Sequence, residues 1–334
     1  MKPTLALTMG DVNGIGPEII AKALADPSVM QICSPVVFGS AKIYAAARAK
    51  VHGAPEPFIV STLEDLKSAP PQSLPFLECH VDEPDYRPGK LSAHAGRCAM
   101  QWLEEAVRSA MDGSIDGIVT CPINKEGIHA AGYEVHGHTD FIANMTGASS
   151  YRMCLFTSTL RIIHLSDHLP LKDALSLVRQ DRIAETIHMA HDLLVRLKTP
   201  RKRIAVAGLN PHAGEAGAFG DEERTEISPA VAYCKGQHID CEGPISPDTV
   251  YRQALDGEFD AVIAMYHDQG HIPLKLVAMD EGVNVTLGIP IVRTSVDHGT
   301  AYDIAGRNMA RENSLHAALL LAAQLVSLRP GVAP

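Results

Sequence analysis

Three histidines stand just after short apolar runs of the sequence, where the chemistry of α/β proteins is usually found. They are His168, His212 and His267, and the last follows the run Ala261–Met265. Each run has the length and composition of a strand buried on both faces. Because ligands bind beyond the carboxyl ends of strands in open α/β sheets, the three imidazoles could meet around one metal ion. Their separation matches no metal-spacing motif, so a structural role for each histidine stays an alternative.

Charged residues near these histidines extend the possible chemistry. Asp268 directly follows His267 and could orient its imidazole, although a turn-forming role is the alternative. Lys275 and Arg293 are cations expected near strand ends, where they can hold a phosphate or a carboxylate. Surface charge is the commoner role of such a lysine, whereas Arg293 lies inside an apolar run. Together with a metal, both cations would suit a small anion whose hydroxyl the metal can acidify.

The composition limits the class of protein. The chain has 334 residues, of which 46% are hydrophobic and 20% charged, so it can build a large core and two domains. A net charge of -10, with no basic cluster longer than Arg201–Arg203, argues against nucleic acid as a partner. No apolar run approaches the roughly 18 residues of a membrane span. The seven scattered cysteines form no Cys-x-x-Cys pair, so we expect reduced thiols in a cytoplasmic protein that does not contact membranes.

Strand and helix patterns alternate along the chain, which favours a parallel, doubly wound α/β sheet. A first strand is predicted from Thr4 to Met9, and a glycine-rich loop then leads into a helix. Two strands ending at His164 are expected to form a hairpin. We also predict Thr139 as a helix N-cap, a helix opening at Ala301–Asp303 and a final helix from Glu312 to Val326.

Six blocks of sequence together carry a family resemblance. They are Gly10–Glu18, Gly137–Thr139, His168–Leu171, Gly208–Glu215, Ala264–Gly270 and Arg293–Ala301. In order and in residues they closely resemble the 4-hydroxythreonine-4-phosphate dehydrogenase family of vitamin B6 biosynthesis. The resemblance covers nearly the whole chain and is far more specific than the glycine-rich loop alone.

The resemblance implies a two-domain α/β/α sandwich of the isocitrate/isopropylmalate dehydrogenase type. We place the first domain at residues 1–136 and 273–334, and the second, with much of the metal site and the dimer interface, at residues 137–272. The family works as a homodimer with each active site at the interface. The resemblance also implies a divalent metal, Zn, Mg, Mn or Co, held by His168, His212 and His267 from both subunits.

The implied reaction is oxidation of a C3 hydroxyl by NAD or NADP, followed by loss of carbon dioxide from the resulting β-keto acid. The residues matched to substrate contacts are His138, Thr139, Lys275, Asn284 and Arg293. Lys275 and Asp248 are the candidates for the catalytic base, and Asp268 would support the metal ligand next to it. No residues are assigned to the nicotinamide cofactor.

Departures from the family pattern bear on the substrate. Val12-Asn13 replaces the usual Pro-Ala, and His271 replaces a residue such as leucine. The run from His271 to Lys275 looks more like paralogues that act on 4-phosphothreonate or 4-phosphoerythronate, whereas the branch acting on terephthalate dihydrodiol lacks the Gly-His-Thr and the arginine kept here. We expect 4-hydroxythreonine 4-phosphate first and these paralogous substrates next. A metal-dependent hydrolase or aldolase, or a non-catalytic binding protein, is the alternative outside the family.

Overall fold

The computed structural model describes residues 2–79 and 84–328. Its strands are β1 (Thr4–Thr8), β2 (Ser34–Phe38), β3 (Pro57–Val60), β4 (Leu74–Leu77), β5 (Gly117–Thr120), β6 (Arg152–Phe156), β7 (Arg161–His164), β8 (Ile204–Ala207), β9 (Cys241–Ile245), β10 (Ala261–Ala264), β11 (Val283–Leu287) and β12 (Arg293–Val296). Its helices are α1 (Gly16–Ala25), α2 (Pro27–Ile32), α3 (Ala41–Arg48), α4 (Ala93–Met111), α5 (Lys125–Ala130), α6 (His138–Thr146), α7 (Leu171–Ala174), α8 (Gln180–Arg196), α9 (Ser228–Gly236), α10 (Val250–Leu255), α11 (His267–Ala278) and α12 (Asn313–Ser327). None of these helices is long and apolar enough to cross a bilayer.

The chain forms two compact units. The first comprises Met1–Ser149 and Ile289–Pro334, and the second Ser150–Gly288. These boundaries differ from the predicted ones, at residues 136/137 and 272/273, for two reasons. Helix α6 packs on α4 of the first unit. Helix α11 continues past Pro273 to Ala278, and the following β11 pairs with β6 of the second unit.

The sheet of the first unit is parallel, with the strand order β3-β4-β2-β1-β5-β12. Strands β1, β2, β5 and β12 are runs of consecutive buried residues, as expected for a sheet covered on both faces. Helix α4 packs on β1 and β5, and α12 packs on β5 and β12. This unit therefore has the predicted doubly wound α/β form.

The sheet of the second unit is mixed, with the strand order β11-β6-β7-β10-β8-β9. Strands β7, β10, β8 and β9 are parallel neighbours. The predicted hairpin is confirmed, since β6 and β7 pair antiparallel and Thr157 Oγ1 accepts a hydrogen bond of 2.9 Å from Leu160 N in the turn. Strand β11 also pairs antiparallel with β6, so the parallel arrangement holds only for the other four strands.

Two local predictions about helix starts are wrong. Gly137 occupies the N-cap of α6, and Thr139 lies within the helix. Residues 301–308 form turns and no helix, because Ala301 has a φ of 44° in the left-handed region and the chain bends there. The final helix α12 is confirmed within one residue at each end.

Candidate active site

His267 is the first residue of α11, and two residues separate it from the end of β10. The chain between strand and helix is fixed by Gln269, whose Oε1 accepts a hydrogen bond of 2.6 Å from Met265 N. The Nε2 of the same side chain donates to the Gly208 carbonyl at 2.7 Å, which ties the start of α11 to the end of β8. The turn that carries His267 is therefore anchored by a side chain that is only 8% exposed.

Two of the three predicted metal ligands lie side by side. The ring centroids of His168 and His267 are 5.2 Å apart. Asp268 Oδ1 lies 2.7 Å from His267 Nδ1, so the carboxylate orients the ring and leaves Nε2 available. This donor set fits a divalent metal, because neutral imidazoles backed by a carboxylate are common metal ligands.

The third predicted ligand, His212, lies in the same unit but its ring neighbour is Phe219, with centroids 6.5 Å apart. Across residues 2–79 and 84–328, no three His, Cys, Asp or Glu side chains come close enough together to hold a metal ion. The described part of one chain thus supplies a pair of adjacent imidazoles and a separate third one.

His212 sits in an unusual turn after β8. The residues from His212 to Ala216 all have positive φ values, between 42° and 80°, and so form a left-handed turn. Four of the five residues are not glycine, and each costs roughly 1–2 kcal/mol in this conformation. The pKa of Asp248 is lowered first by the hydrogen bond from Ser246 and to a smaller extent by the charge of the His212 imidazole.

Sequence reasoning missed two buried histidines behind His267. The ring of His271 stacks on that of His267 with centroids 3.6 Å apart and planes at 12°. His271 Nδ1 lies 3.2 Å from His164 Nε2, so one of these nitrogens carries the shared proton. Burial, followed by the charge of His267, lowers the pKa of His271 to about 3. Burial, then His271, holds the pKa of His164 well below its usual value, so both rings are neutral at pH 7.

Gly270 makes this close packing possible. A Cβ added at Gly270 would collide with His164 Nε2 and lie 2.8 Å from Ile162 Cγ2. We expect Gly270→Ala to lower the free energy of unfolding by about 1–3 kcal/mol, the usual cost of overpacking a core. Chemical denaturation of the metal-free protein would measure it, and a loss below about 0.5 kcal/mol would contradict the tight contact. Gly236→Ala, at a helical site with open space around the added Cβ, is the matched control.

The remaining candidates of the second unit differ in exposure. Lys275 is exposed on α11, two turns after His267 and one turn after His271. Asn284 lies on β11 with its Oδ1 buried and, within the described residues, without a hydrogen-bond partner. An amide oxygen in that state is available to a ligand.

The first unit supplies His138, Thr139 and Arg293. Arg293, the first residue of β12, is only 3% exposed and donates from Nη2 to Thr120 Oγ1 at 2.9 Å. Burial lowers the pKa of Arg293 to about 10, so the guanidinium stays charged at pH 7. Burial and then the charge of Arg293 hold the pKa of His138 well below its usual value. The Nε2 of His138 has no hydrogen-bond partner among the described residues. A buried cation beside a neutral imidazole is suited to an anionic ligand.

Known proteins resemble this chain over nearly its full length. The family model described as pyridoxal phosphate biosynthetic protein PdxA matches residues 31–322. A D-threonate 4-phosphate dehydrogenase of Pectobacterium atrosepticum is 44% identical over 97% of this chain and 100% of its own length. A 4-hydroxythreonine-4-phosphate dehydrogenase of Geobacter metallireducens is 43% identical over 98% of this chain and 97% of its own.

Solved structures give the same result. A crystal structure of 4-hydroxythreonine-4-phosphate dehydrogenase from Klebsiella pneumoniae superposes with a TM-score of 0.86 at 40% identity, covering 98% of each chain. A terephthalate 1,2-cis-dihydrodiol dehydrogenase from Burkholderia xenovorans gives 0.67 at 28% identity, covering 97% of this chain and 98% of its own.

The α/β fold and the class shared by these relatives define an oxidoreductase that acts on a CH–OH group. Relatives named D-threonate 4-phosphate dehydrogenase and relatives named 4-hydroxythreonine-4-phosphate dehydrogenase both match this chain. The chain belongs to the pyridoxal phosphate biosynthetic protein PdxA family.

Proposed function

We propose that this protein is a cytoplasmic, metal-dependent dehydrogenase that uses NAD or NADP to oxidise the C3 hydroxyl of a 4-phosphorylated hydroxy acid, which then loses carbon dioxide. The observation that carries the proposal is the pairing of His168 with His267, whose rings lie 5.2 Å apart with Asp268 behind the second. The relatives named as dehydrogenases of 4-phosphorylated acids support the same reaction.

We propose that His168, His212 and His267 hold the metal and that a second copy of the chain completes the set. The support is that one chain pairs only the first and last of them among its described residues. Helix α11, which begins at His267, and the residue that follows it also expose apolar side chains, with Leu276 81% and Met279 78% exposed. Exposed apolar side chains of this size are typical of a protein interface. A homodimer would cover them.

The bound metal would make the substrate hydroxyl more acidic, and the nicotinamide would accept the hydride. Arg293 and His138 would hold the phosphate or the carboxylate, the first as a charged fork and the second as a neutral donor. Thr139 and the buried Oδ1 of Asn284 would orient the hydroxyl groups of the substrate. Asp268 would keep His267 in one ring orientation throughout the reaction.

We assign the role of proton acceptor to Lys275 in preference to Asp248. The hydrogen bond from Ser246 Oγ to Asp248 Oδ1, 2.5 Å long, lowers the pKa of that carboxyl. A carboxylate with a lowered pKa is a weaker base. Lys275 lies on the same helix as His267, so one element positions both the proposed base and the proposed metal ligand.

Two substrates of the proposed class, 4-hydroxythreonine 4-phosphate and D-threonate 4-phosphate, differ only at C2. The first carries an amino group there and the second a hydroxyl. We propose D-threonate 4-phosphate first, ahead of the 4-hydroxythreonine 4-phosphate expected from the sequence. The relatives of Pectobacterium atrosepticum and Cupriavidus necator carry the former name at 44% and 42% identity. The replacement of leucine by His271 points in the same direction.

The test is formation of NADH or NADPH by the purified protein with each candidate substrate, with and without a chelator. The panel holds D-threonate 4-phosphate, 4-hydroxythreonine 4-phosphate, 4-phosphoerythronate and the terephthalate dihydrodiol. We expect chelator-sensitive activity on D-threonate 4-phosphate, at least about 10-fold above the others in kcat/KM, since a buried polar group left without its hydrogen bond costs about 1–3 kcal/mol.

The other outcomes each decide against part of the proposal. Higher activity on 4-hydroxythreonine 4-phosphate would reverse the substrate order and keep the reaction. Activity on the dihydrodiol alone would mean that Arg293 and His138 hold no phosphate, since that substrate carries none. Metal-dependent turnover without reduction of the nicotinamide would favour a hydrolase or an aldolase.

The proposed dimer predicts the effect of a charge on α11. Leu276→Glu places a carboxylate on its exposed apolar face, and we expect it to weaken the dimer by at least about 10-fold, since burying an unpaired charge costs several kcal/mol. Sedimentation analysis over a range of concentrations measures this. Ile59→Glu, at a residue of the first unit that is 57% exposed, is the control and should leave association unchanged. A Leu276→Glu variant that associates like the native chain would place the interface elsewhere.

A further inference from the structure

The left-handed turn that carries His212 is held by a residue outside the six sequence blocks. Glu223 lies 11 positions further along the chain, at the start of a π-helical segment, Glu223–Ile227, that leads into α9. Its side chain is 5% exposed, so its carboxylate is directed inward and away from solvent. A buried carboxylate needs hydrogen-bond donors, and the turn supplies them.

Three donors from the residues just before the turn bond to Glu223. The backbone N–H groups of Leu209 and Asn210 donate to Oε1 at 2.8 Å and 2.7 Å. The side-chain Nδ2 of Asn210 donates to Oε2 at 2.9 Å. Both oxygens are therefore used, and together they fix the residues that directly precede Pro211 and His212.

The turn closes tightly around this carboxylate. A Cβ added at Gly214 would lie 2.8 Å from Glu223 Oε2, and one added at Gly208 would lie 2.9 Å from Ala213 Cα. The turn and the carboxylate therefore fit each other closely, and no larger residue is accommodated at either glycine. Since an isolated run of left-handed L-residues is unfavourable, contacts from outside the turn must stabilise it.

We propose that Glu223 is a positioning residue that holds the left-handed turn and thereby sets the orientation of His212 for metal binding. The role of the turn in metal binding rests on the proposed function. The hydrogen bonds that hold the turn are independent of that function. Outer residues that orient a metal ligand typically change metal affinity by about 10- to 100-fold when they are replaced.

Glu223→Gln is the test, and Glu222→Gln is its matched control. The glutamine keeps one oxygen for the two backbone donors but turns an NH2 group toward Asn210 Nδ2, another donor. Glu222 is the adjacent residue, and the one hydrogen bond that its carboxylate accepts among the described residues is from that Nδ2, at 2.7 Å, so its variant removes the same charge with one bond affected. The measurements are Zn2+ affinity of the metal-free protein, by competition with a chromophoric chelator, and amide hydrogen exchange of residues 205–218.

We expect Glu223→Gln to weaken Zn2+ binding by about 10-fold or more and to speed exchange of the Leu209 and Asn210 amides by a similar factor. Glu222→Gln should change either quantity by less than about 3-fold. Unchanged exchange and affinity in Glu223→Gln would overturn the proposal. Should Glu223→Gln fail to fold, Asn210→Ala removes one of the three bonds and should show both effects at smaller size.

A double-mutant cycle separates positioning from general weakening of the fold. In a His212→Ala background, Glu223→Gln should leave the residual Zn2+ affinity unchanged, because the two replacements act on one ligand. Independent, additive losses would overturn the positioning role. If the native chain binds no Zn2+, the proposed metal site fails. The exchange measurement alone then decides whether Glu223 holds the turn.

Discussion

His267→Ala is expected to abolish metal-dependent turnover while leaving the protein folded. His267 lies at the centre of the histidine cluster, beside His168, stacked on His271 and backed by Asp268. Loss of an outer-shell partner alone costs 10- to 100-fold in metal affinity, so loss of the ligand itself should cost more than about 100-fold. Zn2+ content after dialysis, together with NAD(P)H formation on the active substrate, measures the effect.

The fold should survive this replacement because the His267 side chain is 30% exposed. We expect the midpoint of thermal unfolding of the metal-free variant to lie within about 4 °C of the native value, the shift that roughly 1 kcal/mol produces in a domain of this size. His188→Gln is the control. His188 is a helical histidine of the same unit whose Nε2 bonds to Gln237 Oε1 at 2.6 Å, and it should keep its metal and its activity. A His267→Ala protein with full activity and stoichiometric metal would remove His267 from the site.

The elements that position the site were readable from the sequence because their signals are local. Strand β10 is a run of four buried apolar residues, and few other structures accommodate such a run between polar segments. Helix α4 begins where Ser92 Oγ accepts a hydrogen bond from Ala95 N, the kind of cap that a serine commonly forms. Apolar runs and caps act over a few residues, so the sequence specifies them directly.

The histidine pair behind His267 was not readable in this way. His164 and His271 are 107 positions apart and meet only because β7 and β10 pair in a register that places His164 beside Ala264. The first turn of α11 must then approach β7 closely, which depends on the missing side chain of Gly270. Strand register and the approach of a helix are tertiary properties, and no spacing within either segment reports them.

The turn at His212 could not be predicted from the sequence for a different reason. Its residues include Ala213, Glu215 and Ala216, all of which disfavour positive φ, so local propensity predicts the opposite conformation. Glu223 lies outside the turn, bonds to the two residues before Pro211 and lies close to Gly214, and we attribute the conformation to these contacts. Local preference is overridden at this point, as is common where a chain must present a functional side chain.

Arg293→Met should lower kcat/KM for a phosphorylated substrate by at least about 30-fold, mainly through a higher KM. Arg293 is a buried guanidinium, 3% exposed, that remains charged at pH 7 because burial lowers its pKa only to about 10. Removing one partner of a buried charged contact costs about 2–5 kcal/mol, or roughly 30- to 4,000-fold in binding. Initial rates over a range of substrate concentrations measure the effect.

Two further variants make the Arg293 result specific to anion binding. Arg293→Lys keeps the charge but loses the fork of donors, so it should recover only part of the lost kcat/KM. Arg108→Met removes an arginine that is 64% exposed on α4 and should leave the kinetics unchanged. Because methionine fills a similar volume without a buried charge, Arg293→Met should not unfold the protein. An unchanged KM in a folded Arg293→Met protein would mean that another cation holds the phosphate, and Lys275 would be the next to replace.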